Sequence, residues 1–207
     1  MALIQGRVYN AKTKVPIQAS IVYESLPEGE NVGNAFSSPE SGNYKVVLPL
    51  GRKYALLAEA PGFMSVDENI DLIGRNAYQE IERDLYLVPI EEGATVRLNN
   101  IFFEKSRYNL LPDSYPELNR LIKVLKNNPN MIIRLEGHTE AFGKKKDQYE
   151  LAENRVNSVK RYLVEIGSID TKRIQLKSYG GSRLLTRELS EEARALNRRV
   201  EIKILRK

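Results

Sequence analysis

Leu135-Glu136-Gly137-His138-Thr139-Glu140-Ala141-Phe142-Gly143 is the stretch on which the fold turns, together with the basic run 144–148 and the periodic segment 149–166 that follow it. A strand that ends in Gly-His-Thr-Glu delivers its last side chains at the rim of a sheet. A second glycine six residues after the first lets the chain turn there without strain. Beyond the basic run, Ala152, Val156, Val159 and Leu163 recur at helical spacing, so 149–166 is expected as an amphipathic helix. Glu140 is then expected at the strand's carboxyl end, and Arg155 beside the buried stripe near the helix's amino end. One anionic and one cationic side chain would bracket a shallow cleft.

Outward from this stretch the pattern alternates between strands and helices. Strands are expected over 95–103, 131–136, 173–178 and 198–205, with Val200, Ile202 and Ile204 on one face of the last. Ser114-Tyr115-Pro116-Glu117 has the spacing of a capping box and opens a helix whose apolar face is Leu118, Leu121, Ile122 and Leu125. Asn127-Asn128-Pro129-Asn130 stops that helix, and 190–197 is expected as a short third one. The order β-α-β-α-β-α-β describes an α/β or α+β domain over 95–207, with helices covering a sheet.

The first part of the chain reads differently. Short β-like runs at 3–9, 17–23, 44–50, 54–60, 64–71 and 81–87 are separated by turn signals such as Ser41-Gly42-Asn43 and Pro61-Gly62, with no helical window. A small antiparallel β-sandwich over residues 1–88 is the expectation, joined to the second domain by a linker at 89–94. Charge divides in the same place. Residues 1–88 carry 8 Lys+Arg against 11 Asp+Glu, a net of −3, and residues 89–207 carry 24 against 16, a net of +8. A basic second half suits an anionic polymer or surface as well as nucleic acid, but no RNA-binding or helix-turn-helix signature accompanies it.

Composition excludes several kinds of chemistry. With 42% hydrophobic residues in 207 the chain can build real cores, and it has no apolar run long enough to span a membrane. The first residues lack the features of a signal peptide. The absence of cysteine removes disulfides, thiolate metal sites and a thiol nucleophile. The single histidine, His138, has no partner cluster at metal or catalytic spacing and is expected to be structural. No cofactor and no enzymatic activity are expected. Lys144-Lys145-Lys146 is expected as a solvated loop, and Arg183, Arg187 and Arg194 as surface charge.

Two resemblances follow from these motifs. Gly6-Arg7-Val8-Tyr9, Val15-Pro16-Ile17, Ser41-Gly42-Asn43-Tyr44, Leu48-Pro49-Leu50-Gly51 and Ala60-Pro61-Gly62-Phe63 resemble the carboxypeptidase regulatory-like domain, a transthyretin-like sandwich. That name carries no peptidase activity here, since a zinc peptidase needs several His or carboxylate ligands at fixed spacing. The resemblance implies a spacer or docking surface. Residues 99–204 resemble the OmpA-like peptidoglycan-binding domain, through Asn100-Ile101-Phe102-Phe103, Leu110-Leu111-Pro112, Glu136-Gly137-His138-Thr139-Glu140, Arg155-Val156, Ser178-Tyr179-Gly180 and Asn197-Arg198-Arg199-Val200-Glu201-Ile202 in the family's order.

The second resemblance implies a function. The family grips the free end of diaminopimelate in the peptidoglycan stem peptide, a zwitterion that needs an anion and a cation held close together. Glu140 stands at the position of the family's aspartate and would accept the ammonium. Arg155 matches the family's arginine and would hold the carboxylate through its planar fork. Arg198 would add charge or order the loop around Arg155, while Ser106 and Gln148 stand where relatives place site-lining asparagines. The chain departs from the family in the longer arm of Glu140, and in Gln148 and Ala152 where an asparagine and a capping serine are expected. The resemblance implies a non-catalytic module in the periplasm, associated with the outer membrane of a Gram-negative bacterium, which ties an envelope assembly to the wall. The pairing of the two domain types is similar to OmpA-family proteins of type IX secretion systems, whose envelope or secretion-system proteins would be partners. The alternative is a structural or protein-interaction envelope protein with a degenerate wall-binding site.

Overall fold

The computed structural model describes residues 1–104 and 107–207, apart from the Glu192 side chain. The chain forms two compact units, Met1–Ile90 and Glu91–Lys207.

The first unit is all-β. Its strands are β1 (Ala2–Asn10), β2 (Ser20–Leu26), β3 (Glu30–Phe36), β4 (Asn43–Leu48), β5 (Lys53–Glu59), β6 (Phe63–Met64), β7 (Val66–Asp71), β8 (Gln79–Glu82) and β9 (Leu85–Pro89). One sheet has the order β4-β1-β9-β6 with β8 also on β1, and the other β3-β2-β5-β7. The core lies between them, with Ile4, Val8, Val46, Leu48 and Leu85 from the first sheet against Ile21, Tyr54, Leu56 and Ile70 from the second. Alternation explains the facing: β4 reads Asn-Tyr-Lys-Val-Val-Leu, and its Tyr44, Val46 and Leu48 are buried while the residues between them are exposed.

Three expectations are corrected here. The sandwich is not purely antiparallel, because β1 pairs in parallel with β8 over its first residues and with β9 over its last. The expected strand at 81–87 is broken where β1 changes partner. At that point Gly6 is required, since a Cβ there would lie 1.9 Å from the Arg83 carbonyl oxygen. The run at 64–71 likewise divides into β6 and β7, which belong to different sheets.

The second unit contains β10 (Thr95–Leu98), α1 (Tyr115–Asn127), β11 (Ile132–His138), α2 (Lys145–Glu165), β12 (Ile174–Gly180), α3 (Glu191–Asn197) and β13 (Val200–Arg206). The sheet order is β10-β13-β11-β12, with β11 and β12 parallel and β13 antiparallel to both its neighbours. The expected apolar faces form the core: Leu118, Leu121 and Leu125 of α1, Ala152, Val156, Val159 and Leu163 of α2, and Ile133, Leu135, Ile202 and Ile204 of the sheet are all buried.

The ends of these elements differ from expectation in ways that matter to the site. No capping box forms at α1. Ser114 Oγ instead accepts from the Phe102 N–H at 2.7 Å and donates to the Phe102 carbonyl at 3.0 Å, and Glu117 pairs with Arg120 at 2.7 Å. The strand expected over 95–103 ends at Leu98, and Phe103 makes an isolated bridge to Leu110. Helix α2 begins at Lys145, a turn earlier than the apolar stripe indicates, so Lys145 and Lys146 are solvated but helical. Arg155 consequently lies in mid-helix rather than at the amino end.

Close approach of α2 to β11 sets the spacing of the site. A Cβ on Gly137 would lie 2.6 Å from the Ala152 carbonyl oxygen and 2.8 Å from Val156 Cγ1. Gly137→Ala is therefore expected to lower stability by about 1–3 kcal/mol, the usual cost of overpacking, as a shifted midpoint in denaturant unfolding. An unchanged midpoint would mean that α2 rests less closely on the sheet than described.

Candidate functional site

Past the end of β11, the chain runs through Thr139 and Glu140, turns at Gly143 with φ +79°, and enters α2. The Thr139 N–H donates to the Gly180 carbonyl at 2.9 Å, which ties this exit to the end of the neighbouring strand. Glu140 thus stands two residues beyond the strand, beside a cleft of about 770 Å³. Phe103, Glu140, Phe142, Gln148, Arg155 and Arg198 line it, together with Glu191 and Arg194 of α3.

Arg155 is 7% exposed. Its Nε donates to the Arg107 carbonyl at 3.1 Å, and its guanidinium lies over the Phe103 ring, 4.9 Å from the centroid. These two contacts hold the plane of the fork, and the residue lines the cleft. Burial pushes the Arg155 pKa down to about 10, and the Arg198 charge adds to the effect while Glu140 opposes it. The side chain stays cationic at neutral pH, and among the described residues no carboxylate forms an ion pair with it.

Glu140 and Arg155 both line the cleft, and the ion-pair partners of Glu140 are other arginines. Its carboxylate is 3.4 Å from Arg198 Nη1 and 3.8 Å from Arg194 Nε. The other arm of Arg198 reaches Glu191. Arg198 lies at the end of α3 rather than in the final strand, which begins at Val200, so it bridges the two carboxylates across the cleft. Arg194, expected as surface charge, is a cleft residue. Its place became legible only with α3 folded back toward Glu140, because spacing within the sequence does not connect positions 54 residues apart.

The other expected residues divide. Gln148 lines the cleft, but its amide is used within the loop: Nε2 donates to the Phe142 and Gly143 carbonyls at 3.2 and 3.1 Å, and Oε1 accepts from the Gly181 N–H at 3.2 Å. Ser106 lies outside the described residues. Ala152 is a buried helix-interior residue packed toward Gly137, and the first turn of α2 is preceded by Lys144, so a hydroxyl at 152 would cap nothing.

His138 is 2% exposed and stacks on Tyr179, with ring centroids 5.2 Å apart. Its Nε2 lies 3.5 Å from Glu201 Oε2. Glu136, His138 and Glu201 bring metal-type donor atoms within 4.8 Å of one another. Both carboxylates are, however, taken by arginines: Arg134 Nε at 2.8 Å from Glu136, and Arg199 Nε at 2.6 Å from Glu201. The two carboxylates are ion-pair partners of Arg134 and Arg199, with the His138 ring between β11 and Tyr179.

His138 and Arg199 together hold the Glu201 carboxyl down to about 2. Of the two contacts, the one to Arg199 is firm and the one to His138 is long for a hydrogen bond. A depressed carboxyl contributes stability above its unfolded pKa of about 4.3 and loses it as pH falls through its folded value. The protein is expected to lose about 2–3 kcal/mol from this residue between about pH 4.5 and 2, followed as a falling unfolding midpoint. In Glu201→Gln that part of the acid dependence should disappear.

The model of the OmpA family matches residues 102–198, which include Glu140, Arg155 and Arg198. A peptidoglycan-associated lipoprotein of Pseudomonas putida is 34% identical over 113 residues, which cover 55% of this chain and 67% of that protein. The chain belongs to the OmpA family. Among other relatives of this OmpA-family chain, the outer membrane protein Omp38 of Acinetobacter baumannii is 32% identical over 100 residues, 48% of this chain and 28% of that protein. The chain therefore spans less than a third of the length of that relative. A crystal structure of the periplasmic domain of Helicobacter pylori MotB is 25% identical over 55% of this chain and 82% of that one, with a TM-score of 0.48. The OmpA-family domain is non-enzymatic and belongs to the periplasm and outer membrane of a Gram-negative envelope. Met1–Ile90 lies outside the residues matched by the family model. No helix among the described residues is long and apolar enough to cross a membrane.

Proposed function

We propose that this chain is a peptidoglycan-binding module that grips the diaminopimelate end of the stem peptide and anchors a periplasmic or outer-membrane assembly to the wall. The observation that carries the reading is Arg155: a buried guanidinium, oriented by Phe103 and the Arg107 carbonyl, that lines a cleft shared with Glu140. A buried cation without a close counter-ion is costly, and an incoming carboxylate offsets that cost through two parallel hydrogen bonds. Glu140 supplies the opposite charge for the ammonium on the same carbon. The name of the Pseudomonas putida relative supports wall association.

Glu140 receives the ammonium in competition with Arg194 and Arg198, which occupy it in the free protein. Arg198 adds positive potential over the carboxylate site, and Gln148 acts by holding the loop that carries Phe142. Ser106 belongs to the proposed set through its position in the family pattern alone. Met1–Ile90 is assigned as a transthyretin-like, carboxypeptidase regulatory-like sandwich that docks the module onto envelope partners, those of type IX secretion in particular. Its two facing sheets support that assignment.

One observation favours a second reading. Both oxygens of Glu140 already have arginine partners, as they would in a site that has lost its ligand and become an internal ion-pair cluster. Sedimentation of the purified chain with peptidoglycan sacculi separates the two. Binding to the pellet supports the wall anchor, and a chain that stays in the supernatant at low salt supports the decayed site.

A further inference from the structure

Phe142 is 76% exposed at the rim of the cleft. The loop that carries it is held firmly: Gln148 takes the carbonyls of both Phe142 and Gly143 and accepts the Gly181 N–H. Gly143 then turns the chain into α2, whose start presents exposed Lys144, Lys145 and Lys146. A large aromatic ring is thus displayed to water on a fixed backbone, beside a cleft whose volume suits a ligand larger than one charged terminus.

We propose that Phe142 is a second subsite, a stacking platform for the sugar ring of the wall fragment whose peptide end enters the cleft. The inference rests on the zwitterion reading of Glu140 and Arg155. An N-acetylated hexosamine has a face of C–H groups and a rim of hydroxyl and acetamide groups, so it can lie on an open aromatic ring while its rim stays wet. A peptide methyl would instead call for an enclosed apolar wall. Glu140 and Phe142 are separated by at most about 7 Å of chain, and the stem from the zwitterionic end of diaminopimelate to the sugar, lengthened by the diaminopimelate side chain and the γ-linked glutamate, exceeds that, so a stem folded back over the rim reaches the ring. The three lysines face outward where the remaining stem carboxylates would pass.

The test is calorimetric titration of the full chain with two probes, the free diaminopimelate tripeptide and the same tripeptide on its disaccharide. The unaltered chain is expected to bind the disaccharide form about three- to tenfold more tightly, the range of one aromatic contact. Phe142→Ala should erase that preference while keeping the tripeptide affinity, and Phe142→Tyr should retain it. Equal affinity of the unaltered chain for the two probes overturns the subsite alone, as does a Phe142→Ala chain that keeps the preference or loses tripeptide affinity in the same proportion. If phosphatidylglycerol vesicles sediment the unaltered chain and not Phe142→Ala, the ring serves a lipid surface and the sugar assignment falls. Absence of binding by either probe overturns the zwitterion reading and the subsite with it.

Discussion

Arg155→Ala is expected to abolish sedimentation with sacculi and to weaken binding of a diaminopimelate peptide by about thirtyfold to several thousandfold. Truncating one member of a desolvated charge pair costs about 2–5 kcal/mol, and each 1.4 kcal/mol is a factor of ten. Arg155 is buried enough for this range to apply. Folding should survive the change, because the guanidinium lies among Phe103, the Arg107 carbonyl and the cleft rather than within the Leu121–Val156–Leu163 core. The unfolding midpoint checks that point. Arg155→Lys keeps the charge and loses the planar fork, so it should recover only part of the affinity. Equal sedimentation of Arg155→Ala and the unaltered chain would remove Arg155 from the site.

Glu140→Ala carries the second large effect, through two routes. It removes the group that would accept the ammonium, and it leaves Arg194 and Arg198 without their shared anion in a cleft that Arg155 also lines. Because the Glu140 side chain is 28% exposed, solvent screens part of this, and the expected loss is about ten- to a hundredfold. Glu140→Asp asks a sharper question. If the longer arm of glutamate serves mainly to reach Arg198 and Arg194, the shorter aspartate should release them and bind the peptide at least as well. If Glu140 itself meets the ammonium at full reach, aspartate should bind less tightly. An unchanged affinity in Glu140→Ala would take the carboxylate out of recognition altogether.

Much of the second unit was legible because its helices carry single apolar stripes and its strands alternate. Leu118, Leu121 and Leu125, and then Val156, Val159 and Leu163, identified the buried faces that became the core. Strand β3 escaped because Glu30–Phe36 lies at a sheet edge with three exposed residues at its start, so burial imposes no alternation on it. The capping box at Ser114 failed for a different reason. Its hydroxyl had a stronger use in satisfying both backbone groups of Phe102, a contact twelve residues away that no local window contains.

The candidate site shows the same division. Glu140, Arg155, Gln148 and Arg198 converge on one cleft, as the family pattern implies, yet their partners do not follow from it. Arg155 is oriented by a main-chain carbonyl, which has no residue signature, and by a phenylalanine 52 positions earlier. Gln148 reads as a ligand-facing amide, and its contacts are to the loop. Arg194 reads as solvated charge because α3 is short and its approach to Glu140 depends on the loop before it.

Heat measured on titrating the purified chain with a diaminopimelate tripeptide tests the central claim most directly, with a control peptide whose terminal amine is acetylated. The account predicts saturable binding of the free tripeptide and none of the acetylated one, since Glu140 and Arg155 together require both charges on the terminal carbon. No heat from the free tripeptide at about 1 mM, corresponding to binding weaker than about 4 kcal/mol, would contradict it, as would equal binding of the two peptides.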